Sequence, residues 1–166
     1  MRDELALALI VGLVGISSCL DCTRVPAEAQ SRGELDVVRM LCGEADGSVA
    51  DWHAILWTVQ RRADRHGMSL PAMARAYSAP LRGHGGARGR WVRALPVLPT
   101  PGYAATWRGA LETVRAYRRG AVADPCARAS FHFGSVADVR ARFPRAVPID
   151  CGVPEGGNVF ISEDGS

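Results

Sequence analysis

Apolar residues recur every three or four positions from Leu35 to Ala63, a period that fits amphipathic helices and not strands. Leu35, Val38, Leu41, Cys42 and Ala45 share one face of a first helix that begins near Gly33, and Gly43 and Gly47 flank its end. Ser48, followed three positions later by Asp51, reads as a variant capping box that opens a second helix. Its apolar stripe is Trp52, Ile55, Leu56, Val59 and Ala63, and Gly67 stops it. A short third helix opens at Ser69, carries Pro71 in its first turn and ends near Tyr77, before Pro80. Residues 80–101 are rich in Gly, Arg and Pro and read as a long excursion. A fourth helix presents Tyr103, Trp107, Ala110, Leu111, Val114 and Tyr117, with Gly120 as its C-terminal stop.

The remainder mixes short elements. Ala129 to Phe133 reads as a short strand, Ser135 with Asp138 caps a further short helix before Pro144, and Asn158 to Ile161 reads as a closing strand. The expectation is a mainly α (α+β) domain over residues 30–166, with a few short β-strands. With 22% charged and 48% hydrophobic residues, the chain can bury a core and does not have the composition of a disordered one.

The first 29 residues read differently. Residues 5–16 form an uninterrupted apolar run, too short to span a bilayer comfortably but suited to the core of a signal peptide. Ile16-Ser-Ser-Cys19 resembles a lipoprotein lipobox, and Ala27-Glu-Ala29 resembles an ordinary signal-peptidase site. The flank Arg2-Asp3-Glu4 lacks the positive charge that signal peptides favour, so a membrane anchor and a buried N-terminal helix stand as alternatives. Export would place the protein in the periplasm, on a membrane or outside the cell. Five cysteines, Cys19, Cys22, Cys42, Cys126 and Cys151, agree with an oxidising compartment. Cys126 and Cys151 flank the strand–helix segment and are expected to form a disulfide closing a loop of about 25 residues. Cys22 with Cys42 is a second candidate bridge, conditional on Cys19 carrying lipid. The Cys19-x-x-Cys22 spacing has no second pair and no suitably spaced histidines, so no metal site and no cofactor are expected.

All basic residues are arginine, and the net charge is only +3. Arg82, Arg88, Arg90 and Arg93 cluster among glycines, which reads as a flexible loop and not as a nucleic-acid groove reader; no nucleic-acid motif accompanies them. Trp91 in the same loop is placed to stack on a sugar ring, with the arginines meeting carboxylates; a passive surface insertion is the alternative.

Glu44 is the residue on which chemistry centres. It sits at the C-terminal end of a helix, between Gly43 and Ala45, where the helix dipole disfavours negative charge and apolar neighbours add desolvation. Both effects are expected to raise its pKa, as a general acid acting on a glycosidic oxygen requires.

The words around it sharpen this. Leu41-Cys-Gly-Glu44-Ala-Asp-Gly47, then Ala54-Ile-Leu-Trp-Thr-Val59-Gln-Arg-Arg62, resembles the opening of the SleB-like cell-wall hydrolases, which reads roughly Y-G-E-A-R-G-E and then A-V-A-x-V-V-x-N-R. Ala76-Tyr77-Ser78-Ala79-Pro80 resembles the Tyr-Ser-x-Pro element of phage-associated members. Trp107 to Gly120, Asp124-Pro-Cys126, Ala129-Ser-Phe-His132-Phe, and Cys151 through Asn158-Val-Phe160 follow in the family's order. The resemblance implies a lysozyme/transglycosylase-like fold and cleavage of peptidoglycan between N-acetylmuramic acid and N-acetylglucosamine, with Glu44 as the catalytic acid. Tyr77, Ser78, His132 and Asn158 are the candidate substrate-binding or orienting residues, each with a plain structural reading beside it.

The departures bear on mechanism. The family's second glutamate is Ser48 here, its arginine is Asp46, and the Asn of Asn-Arg is Arg61. A single acid favours a lytic transglycosylase, although Asp46 and Asp51 remain nearby carboxylates. The alternative is a catalytically weak or inactive wall-binding component of a phage tail or secretion apparatus; a small secreted binding protein outside the family is a third reading.

Overall fold

The computed structural model describes residues 31–45, 47–84, 89, 92–93 and 101–162. The expected export segment, with Cys19 and Cys22, lies outside the described residues, as do Asp46, Arg88, Arg90 and Trp91. The described residues form five helices and two short strands: α1 (Arg32–Glu44), α2 (Val49–Arg65), α3 (Leu70–Tyr77), α4 (Pro101–Arg118), β1 (Phe131–Phe133), α5 (Val136–Arg142) and β2 (Val159–Ile161). The fold is mainly helical with a small antiparallel sheet, as the sequence periodicity implies.

Four of these helices begin at a serine whose side chain accepts the backbone N–H three residues on. The pairs are Ser31 with Glu34, Ser48 with Asp51, Ser69 with Ala72, and Ser135 with Asp138. Each cap satisfies a donor the helix itself cannot, a contribution of about 1 kcal/mol. Gly67 and Gly120, both at positive φ, turn the chain away after α2 and α4.

Helix α1 is the hub. It packs against α3 on one side and α4 on the other, while α2 closes the layer and reaches β1. Val38, Met40, Leu41, Ile55, Leu56, Val59 and Trp107 are fully buried where these helices meet. Trp52 is wedged against α4: a Cβ on Gly109 would stand 2.9 Å from its ring. Trp52 and Trp107 are core residues, as expected; Trp57 is half-buried and its Nε1–H donates to the Val122 carbonyl at 3.2 Å.

The strands pair antiparallel in the register Phe131 with Ile161, His132 with Phe160 and Phe133 with Val159. An isolated bridge joins Ile149 to Phe160. Alternation along β1 buries His132 and leaves Phe131 and Phe133 half-buried on the opposite face.

Where the segment after Pro80 is described, it is held against the helices. Leu81 to Gly83 form a turn, and Val92 is helical and fully buried against α1. Arg93 donates to the Pro80 carbonyl at 3.1 Å and accepts from Arg39 on its own carbonyl, so it ties the segment down. One apolar side chain finding a site in the core outweighs the glycines around it.

Cys126 and Cys151 form the expected disulfide, with Cα atoms 5.0 Å apart, and both are buried. Cys42 lies in the core of α1. The bridge fixes the approach to β1 to the approach to β2. Reducing it, or the change Cys126→Ser, is expected to lower the unfolding free energy by about 3 kcal/mol. Denaturant midpoints of the oxidised and reduced protein measure this; equal midpoints would leave the bridge without a structural role.

Candidate active site

Helix α1 brings Glu44 to its last residue and no further, because Ala45 leaves the helical region. What meets Glu44 there is set by the residue before it. A Cβ on Gly43 would lie 2.7 Å from Pro80 Cβ and 2.8 Å from Pro80 Cγ, so only glycine lets the chain after α3 press onto the end of α1. That approach carries Ser78, fully buried, and Ala79 up to the Glu44 carboxyl. Ser78 Oγ finds no partner at hydrogen-bond distance, yet lies close enough to favour the ionised carboxyl.

From β1 comes His132. Its Nε2 lies 3.8 Å from Glu44 Oε2, an ion-pair distance and not a hydrogen bond. The histidine side chain is 3% exposed and the glutamate 18%, so the glutamate keeps a partial access to solvent that the imidazole lacks. The ring is held from both sides. Tyr77 stands edge-on to it at 5.3 Å between centroids, and Phe160 lies against it at 5.8 Å. The His132 backbone N–H donates to the Tyr77 hydroxyl at 3.1 Å, and that hydroxyl lies 3.5 Å from Nδ1. Burial pushes the Tyr77 phenol up, so it stays a neutral donor and acceptor.

The fourth contribution precedes β2. Asn158 Nδ2 donates to the Glu44 carbonyl at 3.0 Å and to Asp51 Oδ2 at 3.0 Å, and the Asn158 backbone N–H reaches the same Oδ2 at 3.3 Å. Asp51 is buried, its side chain occupied by this contact instead of closing a capping box. Asn158 therefore ties the last turn of α1 to the first turn of α2. Glu44, Ser48, Asp51 and Asn158 line a cleft of about 350 Å³.

The electrostatics correct the expectation drawn from sequence. Burial does push the Glu44 carboxyl up, and it is the largest single influence. The His132 ring, the Ser78 hydroxyl and the Ala79 N–H together outweigh it and leave the carboxyl below the ordinary glutamate range. Glu44 at rest prefers to be ionised. The opposing groups come from β1 and the residues just after α3, remote in sequence, so Glu44's own neighbourhood gives the wrong sign.

The four expected binding residues Tyr77, Ser78, His132 and Asn158 thus converge on Glu44, while Trp91 lies outside the described residues. Arg61, the departure from Asn-Arg, holds the loop before β1: it donates to the carbonyls of Ala129 at 2.6 Å and Cys126 at 2.5 Å and pairs with Asp124. Sequence reasoning assigned no role to Phe160, Pro80 or Arg62. The Gly43–Pro80 contact had a signal, a glycine inside a strongly periodic helix. Arg62 and Phe160 had theirs in the blocks that resemble the cell-wall hydrolases, where each closes a motif.

A scan against protein-family models, a search of curated proteins and a search of solved structures return no match to this chain.

Asn158→Ala would remove the side-chain donor shared by buried Asp51 and the Glu44 carbonyl and leave the aspartate only the backbone N–H of residue 158. It is expected to cost about 2 kcal/mol, and to be non-additive with Asp51→Asn by more than about 0.5 kcal/mol in a double-mutant cycle. Additive losses in urea denaturation would mean that the two side chains do not act together.

Proposed function

We propose that this protein cleaves the glycan strand of peptidoglycan by lytic transglycosylation, with Glu44 as the single acid and base. The observation that carries the reading is convergence. Residues from blocks that resemble the cell-wall hydrolases meet at Glu44 beside a cleft: His132 and Ser78 at its partly exposed carboxyl, Tyr77 against His132, and Asn158 on its backbone carbonyl.

In this chemistry Glu44 gives its proton to the glycosidic oxygen as the bond from that oxygen to the anomeric carbon breaks. The hydroxyl on the muramyl sugar's own sixth carbon then bonds to the anomeric carbon, and its proton returns to Glu44. No water is consumed and the carboxyl is regenerated. A hydrolase would need a second carboxylate roughly 5–9.5 Å away to act on water or on the sugar. Two further described carboxylates line the cleft: Asp51, buried and engaged by two donors from Asn158, which speaks against its acting on water, and Glu155, exposed on the loop before β2.

Glu44 must carry a proton when substrate arrives. Burial already pushes toward that form, and a glycan strand lying over the carboxyl would exclude more water and push further. His132 sets the opposing pull. The ionised preference of the free site is also the one feature that favours the second reading, a wall-binding component without turnover.

Glu44→Gln is expected to leave the fold intact and to slow the clearing of a wall suspension by about 100- to 10,000-fold. Clearing at the parent rate would remove Glu44 from the mechanism.

The pH profile tests His132. Activity that needs protonated Glu44 falls as pH rises through its pKa in the free protein, which kcat/KM reports. His132→Ala removes the group that lowers that pKa, so the falling limb is expected to move to higher pH. A limb that stays in place would show that His132 does not tune the acid.

A further inference from the structure

A second cleft, of about 610 Å³, opens on the far side of His132, between α2, α3, β1 and α5. It is larger than the cleft at Glu44 and has a different chemistry. Three arginines, Arg62, Arg82 and Arg142, line it together with the rings of Tyr77, Phe131 and Phe133. The Arg62 guanidinium is held 4.3 Å from the centroids of both Tyr77 and Phe131. The Arg142 guanidinium stands 5.7 Å from the Phe133 ring. Among the described residues none of the three is ion-paired with a carboxylate. The one acidic residue in the lining, Asp138, accepts the Ser135 hydroxyl at 2.6 Å. Arg62 Nε is buried without a hydrogen-bond partner.

Guanidinium groups set against aromatic faces are pre-oriented donors for carboxylates, and the rings beside them bury short apolar side chains. Neutral sugars use neither the charge nor this density of arginine. The cleft is also bounded on several sides, unlike the open track that a long polyphosphate follows. Its occupant is therefore a short acidic chain with apolar groups between its carboxylates.

His132 lines this cleft and lies 3.8 Å from Glu44, so an occupant reaches to within one side chain of the reacting bond. We infer that the cleft binds the acidic peptide stem carried by the muramyl residue next to the bond cleaved at Glu44. This rests on the peptidoglycan reading above and deepens it: the stem becomes a specificity element, gripped on the opposite side of His132 from the sugar chain.

Two measurements on the intact protein separate the two ideas. The first is calorimetric titration with the soluble stem peptide, with the same peptide amidated at its carboxylates, and with a short polyphosphate. The free peptide is expected to bind at least about ten times more tightly than the amidated one. The double change Arg82→Ala with Arg142→Ala, at two exposed positions, is expected to abolish the difference. Equal binding of the two peptides, or tighter binding of polyphosphate, would overturn the inference.

The second measurement compares cleavage of stem-bearing peptidoglycan with cleavage of glycan stripped of its peptides. The double variant is expected to lose about 10- to 100-fold in kcat/KM on the first and to match the parent on the second. Equal loss on both substrates would overturn stem recognition. Failure of the parent to cleave either substrate would overturn the glycan-cleavage reading, while the peptide titration still decides what the cleft binds.

Discussion

Helix α1 ends inside the protein, and a helix that ends there must find donors for carbonyls it cannot satisfy itself. The indole of Trp52 donates to the Leu41 carbonyl at 3.2 Å, and the Asn158 amide donates to the Glu44 carbonyl at 3.0 Å. These two bonds fasten the end of α1 to α2 and to the chain entering β2. The bare Cα of Gly43 lets the Ser78–Pro80 segment close the remaining side. The carboxyl of Glu44 is consequently fixed by the same contacts that hold the helical layer to the sheet.

That placement gives Glu44 two opposed influences. Loss of water favours the neutral acid, while His132, Ser78 and Ala79 favour the carboxylate and prevail at rest. A group under opposed influences changes state when its surroundings change, and further loss of water would move it in the direction of the acid. His132 is itself immobilised between Tyr77 and Phe160, so the pull it exerts is a fixed property of the site. Asp51, tied to Asn158, helps hold the start of α2 against the end of α1.

What could be read from sequence was what is local. The caps at Ser48, Ser69 and Ser135, the apolar stripe of α2 and the glycine stops depend on residues a few positions apart, and they lie where expected. The alternation that buries His132 followed from the period of a strand, and the Cys126–Cys151 bridge from its place around that strand. The rest depends on meetings between distant segments. Asp51 resembled half of a capping box because Asn158, 107 residues away, was not visible from its neighbours. Glu44 was expected to favour its neutral form because its opposing groups come from other elements. Val92 was hidden in a glycine-rich stretch, and the three arginines of the second cleft come from α2, the turn after α3 and α5, with no pattern joining them.

If a single carboxyl serves as both acid and base, the chemistry is written in the product. Mass spectrometry of the fragments that the intact protein releases from purified peptidoglycan reads it. Muramyl residues ending in the anhydro form, lost with Glu44→Gln, are the expected result. Fragments with ordinary reducing muramyl ends would require water activated by a second carboxylate and would contradict the single-acid mechanism, and the release of no fragments would contradict glycan cleavage itself.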